Sequence, residues 1–114
     1  MNPSSITRAV TLALSLSGMA VLSFGEEAAA VWLTIKDHRF DPAEIRVPSG
    51  KPIRLQVKNA DPTPEEFESK SLKVEKVIAG NGEATIPLKA LKPGRYTFFG
   101  EYHERTAQGA LVVE

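Results

Sequence analysis

The sequence predicts an all-β protein, an antiparallel β-sandwich of about seven strands. Three observations carry this. Short segments rich in β-branched and aromatic residues recur about every ten residues, turn-forming Gly, Pro and Asn separate them, and no long stretch has the helical period. Residues 31–35 open the series on composition, since their alternation is poor. Residues 44–47 alternate polar and apolar and run into the turn Pro48-Ser49-Gly50. Residues 53–58 alternate cleanly, which turns Ile53, Leu55 and Val57 inward; with 44–47 they are expected to form a hairpin. Residues 72–78 come next, closed by Gly80-Asn81-Gly82. Residues 84–88 carry Pro87, which assigns them to a sheet edge. Lys92-Pro93-Gly94 turns the chain into 95–99, and 110–113 completes the set. Trp32, Phe40, Tyr96 and Phe98 are expected in the core, Phe67 inward, and Glu75-Lys76 on an exposed strand face.

Residues 1–25 read as an export signal. Arg8 is their only charged residue, an apolar run follows from Ala9 to Leu22, and small residues end it. The run is short for a membrane span, which needs roughly 20 apolar residues. Cleavage after Gly25, or as late as Ala30, leaves a domain expected over 31–114 in the periplasm or otherwise outside the cytoplasm. An uncleaved anchor would tether the same domain to the membrane. Cleavage at 25 takes only Arg8 from 14 basic residues set against 14 acidic ones, a net charge of −1. So balanced a charge argues against nucleic acid, which requires a basic face.

The chain has no cysteine. Disulfides, thiolate zinc sites, iron–sulfur clusters and cysteine nucleophiles are therefore excluded. Its two methionines, Met1 and Met19, both lie in the leader.

The segments 37–42, 59–68 and 101–108 fall between predicted strands. A Greek-key connection gathers them at one end of the sandwich. That pole would carry His38, Asp41, Asp61, Glu65, Glu66, Glu68, Glu101, His103 and Glu104, including both histidines of the chain. Glu101 and His103 are two apart, so on an extended segment both face one way with Tyr102 opposite; Glu66 and Glu68 stand in the same relation around Phe67. Clustered carboxylates repel, and a bound cation relieves them. The candidate metal ligands are His103, Glu65, Glu66, Glu68, Glu101 and His38. Lys70, Lys73 and Lys76 are close enough in sequence to pair with these acids instead, and Glu104 with Arg105.

The stretches 40–59 and 94–113, with the phrases Phe40-Asp41-Pro42 and Gly100-Glu101-Tyr102-His103, resemble the cupredoxin family over most of 31–114. The resemblance implies a Greek-key sandwich that holds copper at one pole through two His, a Cys and an axial Met. It places Glu65 near the first histidine position, Gly100 at the cysteine, His103 at the second histidine and Gln108 at the methionine. Only His103 is retained, so a type-1 blue copper centre cannot form. Glu65-Glu66-Phe67-Glu68-Ser69 and Gly100 to Gly109 are similar to the small periplasmic cupredoxin-like proteins of bacterial iron uptake systems with a high-affinity iron permease. That similarity implies a periplasmic metal-binding protein and the membrane permease as partners, with ferrous oxidation or metal hand-off as the task.

Carboxylate and imidazole donors suit iron, manganese, zinc or copper(II) and disfavour Cu(I); of these, iron or copper(II) is the expected ion. Two further readings stand beside metal binding. One is a metal-free adaptor that docks on a transport partner. The other is a carboxylate hydrolase, for which the chain shows no Ser/His/Asp spacing.

Overall fold

In the computed structural model the described residues are 27–114, so the leader reading of 1–25 lies outside them. They form β1 (Ala29–Lys36), β2 (Arg39–Asp41), β3 (Glu44–Val47), β4 (Ile53–Asn59), β5 (Glu65–Ser69), β6 (Val74–Ile78), β7 (Glu83–Leu88), β8 (Gly94–Gly100) and β9 (Gln108–Val113). One sheet runs β2-β1-β4-β7 and the other β3-β9-β8-β5-β6. Their inner faces make a two-layer sandwich, as expected.

Period-two alternation fills the core. Leu33 and Ile35 of β1, Ile53, Leu55 and Val57 of β4, and Ile86 and Leu88 of β7 are buried from one side. Ile45, Val47, Phe67, Ile78, Phe98, Leu111 and Val113 meet them from the other. Phe67 stacks on Phe98 at 4.9 Å between centroids, and Phe40 sets its edge against Phe98 at 5.1 Å. Each such ring contributes about 1.5–3 kcal/mol by leaving water. This aromatic group lies under the end of the sandwich where β5 and β8 meet.

The topology corrects three expectations. The sheets are mixed, because β1 runs parallel to β4 and β3 parallel to β9. Segments 44–47 and 53–58 do not form a hairpin: β3 lies in one sheet and β4 in the other. Alternation shows which side chains point inward but not which sheet a strand joins. Two strands beyond the expected seven are present, β2 and β5, both placed in loops by their charge and shortness. Pro87 is at an edge, on β7, which pairs only with β4. Trp32 is the side-chain exception: it is 57% exposed on the outer face of β1, one step out of phase with buried Leu33.

Candidate metal site at the sandwich pole

Strand β5 sorts the acidic run Glu65-Glu66-Phe67-Glu68-Ser69 by parity. Glu65, Phe67 and Ser69 point inward and are buried, while Glu66 and Glu68 point outward and are half-buried. The six candidate ligands therefore divide into two groups on opposite faces of β5.

The inner group centres on Glu65, which is 1% exposed. Its Oε1 accepts hydrogen bonds from the backbone N–H of Glu66 at 3.0 Å and of Tyr102 at 2.9 Å. Its Oε2 lies 2.6 Å from His103 Nδ1. A buried carboxylate is tolerated only when so satisfied. The approach is possible because residue 100 is glycine. A Cβ there would stand 2.6 Å from Glu65 Cδ, 2.8 Å from Glu65 Oε2 and 2.7 Å from the Ala107 Cβ.

The segment after β8 is not extended, which corrects the expectation for Glu101 and His103. Residues Glu101–His103 form one 3-10 turn, and the next turn is closed by hydrogen bonds from the N–H of Thr106 and of Ala107 to the His103 carbonyl. At three residues per turn, successive side chains diverge. His103 joins buried Glu65, whereas Glu101 joins the outer carboxylates. The two are on different faces of the site.

His38 completes the inner group. Its ring stacks on that of His103 with centroids 3.5 Å apart and planes 11° from parallel. Asp37 and His38 both have positive φ, 53° and 59°, and form the two-residue loop between paired Lys36 and Arg39. Such hairpin loops need this left-handed backbone. Asp61 secures it, accepting hydrogen bonds from the N–H of Asp37 at 2.8 Å and of His38 at 2.9 Å. Burial raises the Asp61 pKa, but these two N–H donors, with the charges of His38 and Lys36, outweigh it and hold the group below its ordinary value. Asn59 in turn fixes Asp61. Its Oδ1 accepts from the Asp61 N–H, and its Nδ2 donates to the carbonyls of Thr63, Ile78 and Ala79. The supporting roles of Asp61 and Asn59 were not evident in the sequence. The one signal was Asn-x-Asp at a strand end, a pattern that favours side-chain-to-backbone bonds.

The outer group is Glu66, Glu68 and Glu101, each offering an oxygen within 4.8 Å of the others. Glu75 stands directly across from Glu68 on β6. The Glu68 pKa is pushed up to about 7, first by its hydrogen bond with Glu101, then by burial and by the charges of Glu101, Glu75 and Glu66. Glu66 is also raised, by burial first and then by Glu75, Glu101 and Glu65. The cluster therefore favours a shared proton or a cation. Among the described residues, the ion pairs between lysine or arginine and a carboxylate are Arg46 with Glu44 and Glu114, and Arg95 with Glu44. Lys70, Lys73, Lys76 and Glu104 are in none of them. Asp41 is exposed on β2.

Comparison with known proteins agrees with this architecture. A family model described as "Cupredoxin-like domain" matches residues 6–113. An uncharacterized protein of Rickettsia prowazekii is 48% identical over 83 residues, which are 73% of this chain and 66% of that protein, so the chain spans just under two thirds of its relative. Among solved structures, the metal-binding domain of the Cu(I)-exporting P-type ATPase CopA of Streptococcus pneumoniae, solved with Cu(I), superposes with a TM-score of 0.66 at 18% identity, covering 75% of this chain and 84% of that one. Auracyanin A, a blue copper protein of Chloroflexus aurantiacus, gives 0.66 at 16% identity, covering 77% of this chain and 100% of that one. An amicyanin mutant in its Cu(I) form gives 0.62 at 18% identity, covering 79% and 88%. At these identities the structural likenesses establish the fold alone.

Proposed function

The chain belongs to the cupredoxin-like domain family, and from that premise we propose that it is an exported metal-binding protein without type-1 copper, serving iron uptake by holding and handing on a metal ion. The blue copper donor set does not fit. The chain has no cysteine, and the Glu65 carboxyl fills the space that a side chain at 100 would enter.

The observation that carries the reading is the hydrogen bond between buried Glu65 and His103 Nδ1. An ionised carboxylate accepts, so Nδ1 carries the hydrogen and the lone pair is left on Nε2. A metal-binding histidine is set up in this way, by an outer carboxylate that fixes its tautomer. Glu65 is then a positioning residue, with both oxygens engaged, and not itself a ligand. His103 is the nitrogen donor. An imidazole lone pair lies in the ring plane, so two parallel rings 3.5 Å apart do not aim at one point. His38 as arranged covers His103.

Glu66, Glu68 and Glu101 supply oxygen donors on the other face of β5. A cation there replaces the proton that their repulsion retains. Oxygen donors of this kind suit iron, manganese, zinc or copper(II). Ferrous oxidation would also require an electron acceptor, so hand-off to a periplasmic metal-binding protein or a membrane iron permease is the simpler task.

The test is calorimetric titration of the metal-free protein with Fe(II) under anaerobic conditions, Cu(II), Zn(II) and Mn(II), with melting curves alongside. We expect one of these ions to bind, His103→Ala to weaken it, and the ion at about 100 times its Kd to add about 2.7 kcal/mol of stability. Absence of heat and an unchanged melting temperature with all four would overturn the reading and favour a metal-free adaptor.

A further inference from the structure

Gly100 and Glu65 lie on neighbouring strands, with Gly100 opposite Phe67 in the β5–β8 register. Glu65, two residues back on β5, turns its side chain toward the inner side of residue 100. Its carboxyl carbon lies 2.6 Å, and Oε2 2.8 Å, from where a Cβ of residue 100 would stand. Real Cβ contacts essentially never fall under 3.0 Å, so something would have to shift. Glu65 has little room to move: three hydrogen bonds tie it to Glu66, Tyr102 and His103. Gly100 is held too, its N–H donating to the Ala107 carbonyl at 2.8 Å. Its φ is −96°, a conformation open to any residue, so backbone freedom is not why glycine is here. The requirement is space.

We propose that Gly100 and Glu65 form one specificity-determining unit, in which the bare backbone at 100 admits the Glu65 carboxylate and the carboxylate excludes any ligating side chain from position 100. The unit deepens the metal-binding reading and rests on it for its functional meaning. An oxygen anion, presented through His103, stands in the volume that a sulfur donor on residue 100 would need. Position 100 is thereby closed to a sulfur donor, the ligand type that a thiolate-bound Cu(I) would need there. Restoring a cysteine at 100 would not by itself restore a sulfur site.

The test is a double-substitution cycle carried throughout in Ala107→Gly, which removes the second obstacle at 2.7 Å. In metal-free protein, Gly100→Ala is expected to lower the melting temperature by about 4–8 °C or more while Glu65 is present, and by under about 2 °C once Glu65→Ala is introduced. Gly100→Cys is then titrated with Co(II), a redox-quiet probe, under reducing conditions. An intense near-ultraviolet thiolate-to-cobalt band is expected only in combination with Glu65→Ala. Additive melting shifts, or an equal thiolate band with Glu65 in place, would overturn the proposal. If the melting shifts couple but none of these proteins, nor the parent, binds metal, the steric unit stands and the metal-binding reading fails.

Discussion

Glu65 Oε2 and His103 Nδ1, 38 residues apart in the chain, lie 2.6 Å from each other at the pole, the carboxylate buried and the imidazole partly open. Glu65→Ala leaves His103 Nδ1 and the N–H groups of Tyr102 and Glu66 without their acceptor. A buried donor left without its acceptor costs about 1–3 kcal/mol, and we expect a loss of at least that order in urea unfolding. Glu65→Gln is the informative contrast. Its amide oxygen still serves the backbone donors, but its amide N–H₂ must donate to Nδ1 and so moves the imidazole hydrogen to Nε2. Stability should fall less than in the alanine variant, while metal affinity falls about 10–100-fold. Nitrogen NMR shifts of the ring would report the tautomer, and an unchanged tautomer in Glu65→Gln would contradict the assignment.

Asp61 has a separate and local role. Its two acceptor bonds hold the left-handed Asp37-His38 loop beneath the stacked rings. Asp61→Ala should cost about 1–3 kcal/mol, the penalty for buried donors left unpaired. It should also release His38 from His103, seen as separate ring-proton environments in NMR. Because Asp61 is held below its ordinary pKa of 3.8, its stabilisation is present above that value and is lost as pH falls through the lower, folded-state pKa. Asp61→Asn should therefore flatten the acid limb of the stability curve.

The alternating strands of the sandwich were legible because burial on one face imposes period two, and Ile53, Leu55 and Val57 display it openly. At the pole, the shared face of Glu66 and Glu68 opposite inward Phe67 was legible, and the rest was a collection of residues without a geometry. Strand β5 escaped notice because Glu-Glu-Phe-Glu-Ser has the composition of a solvated loop. Only the pairing of β5 with β6 and β8 makes alternate glutamates mean different things, one buried and two outside. Glu101 and His103 diverge because the chain tightens into a 3-10 turn, a choice made by tertiary hydrogen bonds to Glu65 and Ala107. No local propensity encodes either fact. The glycine at 100 looked like an absent ligand, but its meaning is a volume filled from another strand.

Trp32 gives a simple check on the sheet assignment. It is the only tryptophan of the chain and is 57% exposed on the outer face of β1. Folded protein should emit at nearly the wavelength of unfolded protein, and acrylamide should quench both to a similar degree. Trp32→Ala should change stability by less than about 0.5–1 kcal/mol, as surface substitutions do. Strongly blue-shifted emission would mean that the face is covered.

Glu68 predicts the sign of the pH dependence near neutrality. Its carboxyl, hydrogen-bonded to Glu101 and facing Glu75 and Glu66, is raised from 4.5 to about 7. A folded protein that holds this proton more tightly than the unfolded chain gains from it at low pH. Stability from this group is therefore full below 4.5 and declines as pH rises through about 7, opposite to the behaviour of Asp61. The unfolding midpoint in urea should drop between about pH 5 and about pH 8. Glu68→Gln should shrink that drop, because the amide cannot ionise. Glu101→Gln should do likewise by removing the largest contributor. The two acids titrate as a unit, so the double variant should gain little over either single one. A cation bound by the cluster should restore the midpoint at about pH 8 in the parent and not in the variants. A midpoint that rises with pH across this window, in a manner that Glu68→Gln abolishes, would show that the cluster is neutralised in some other way.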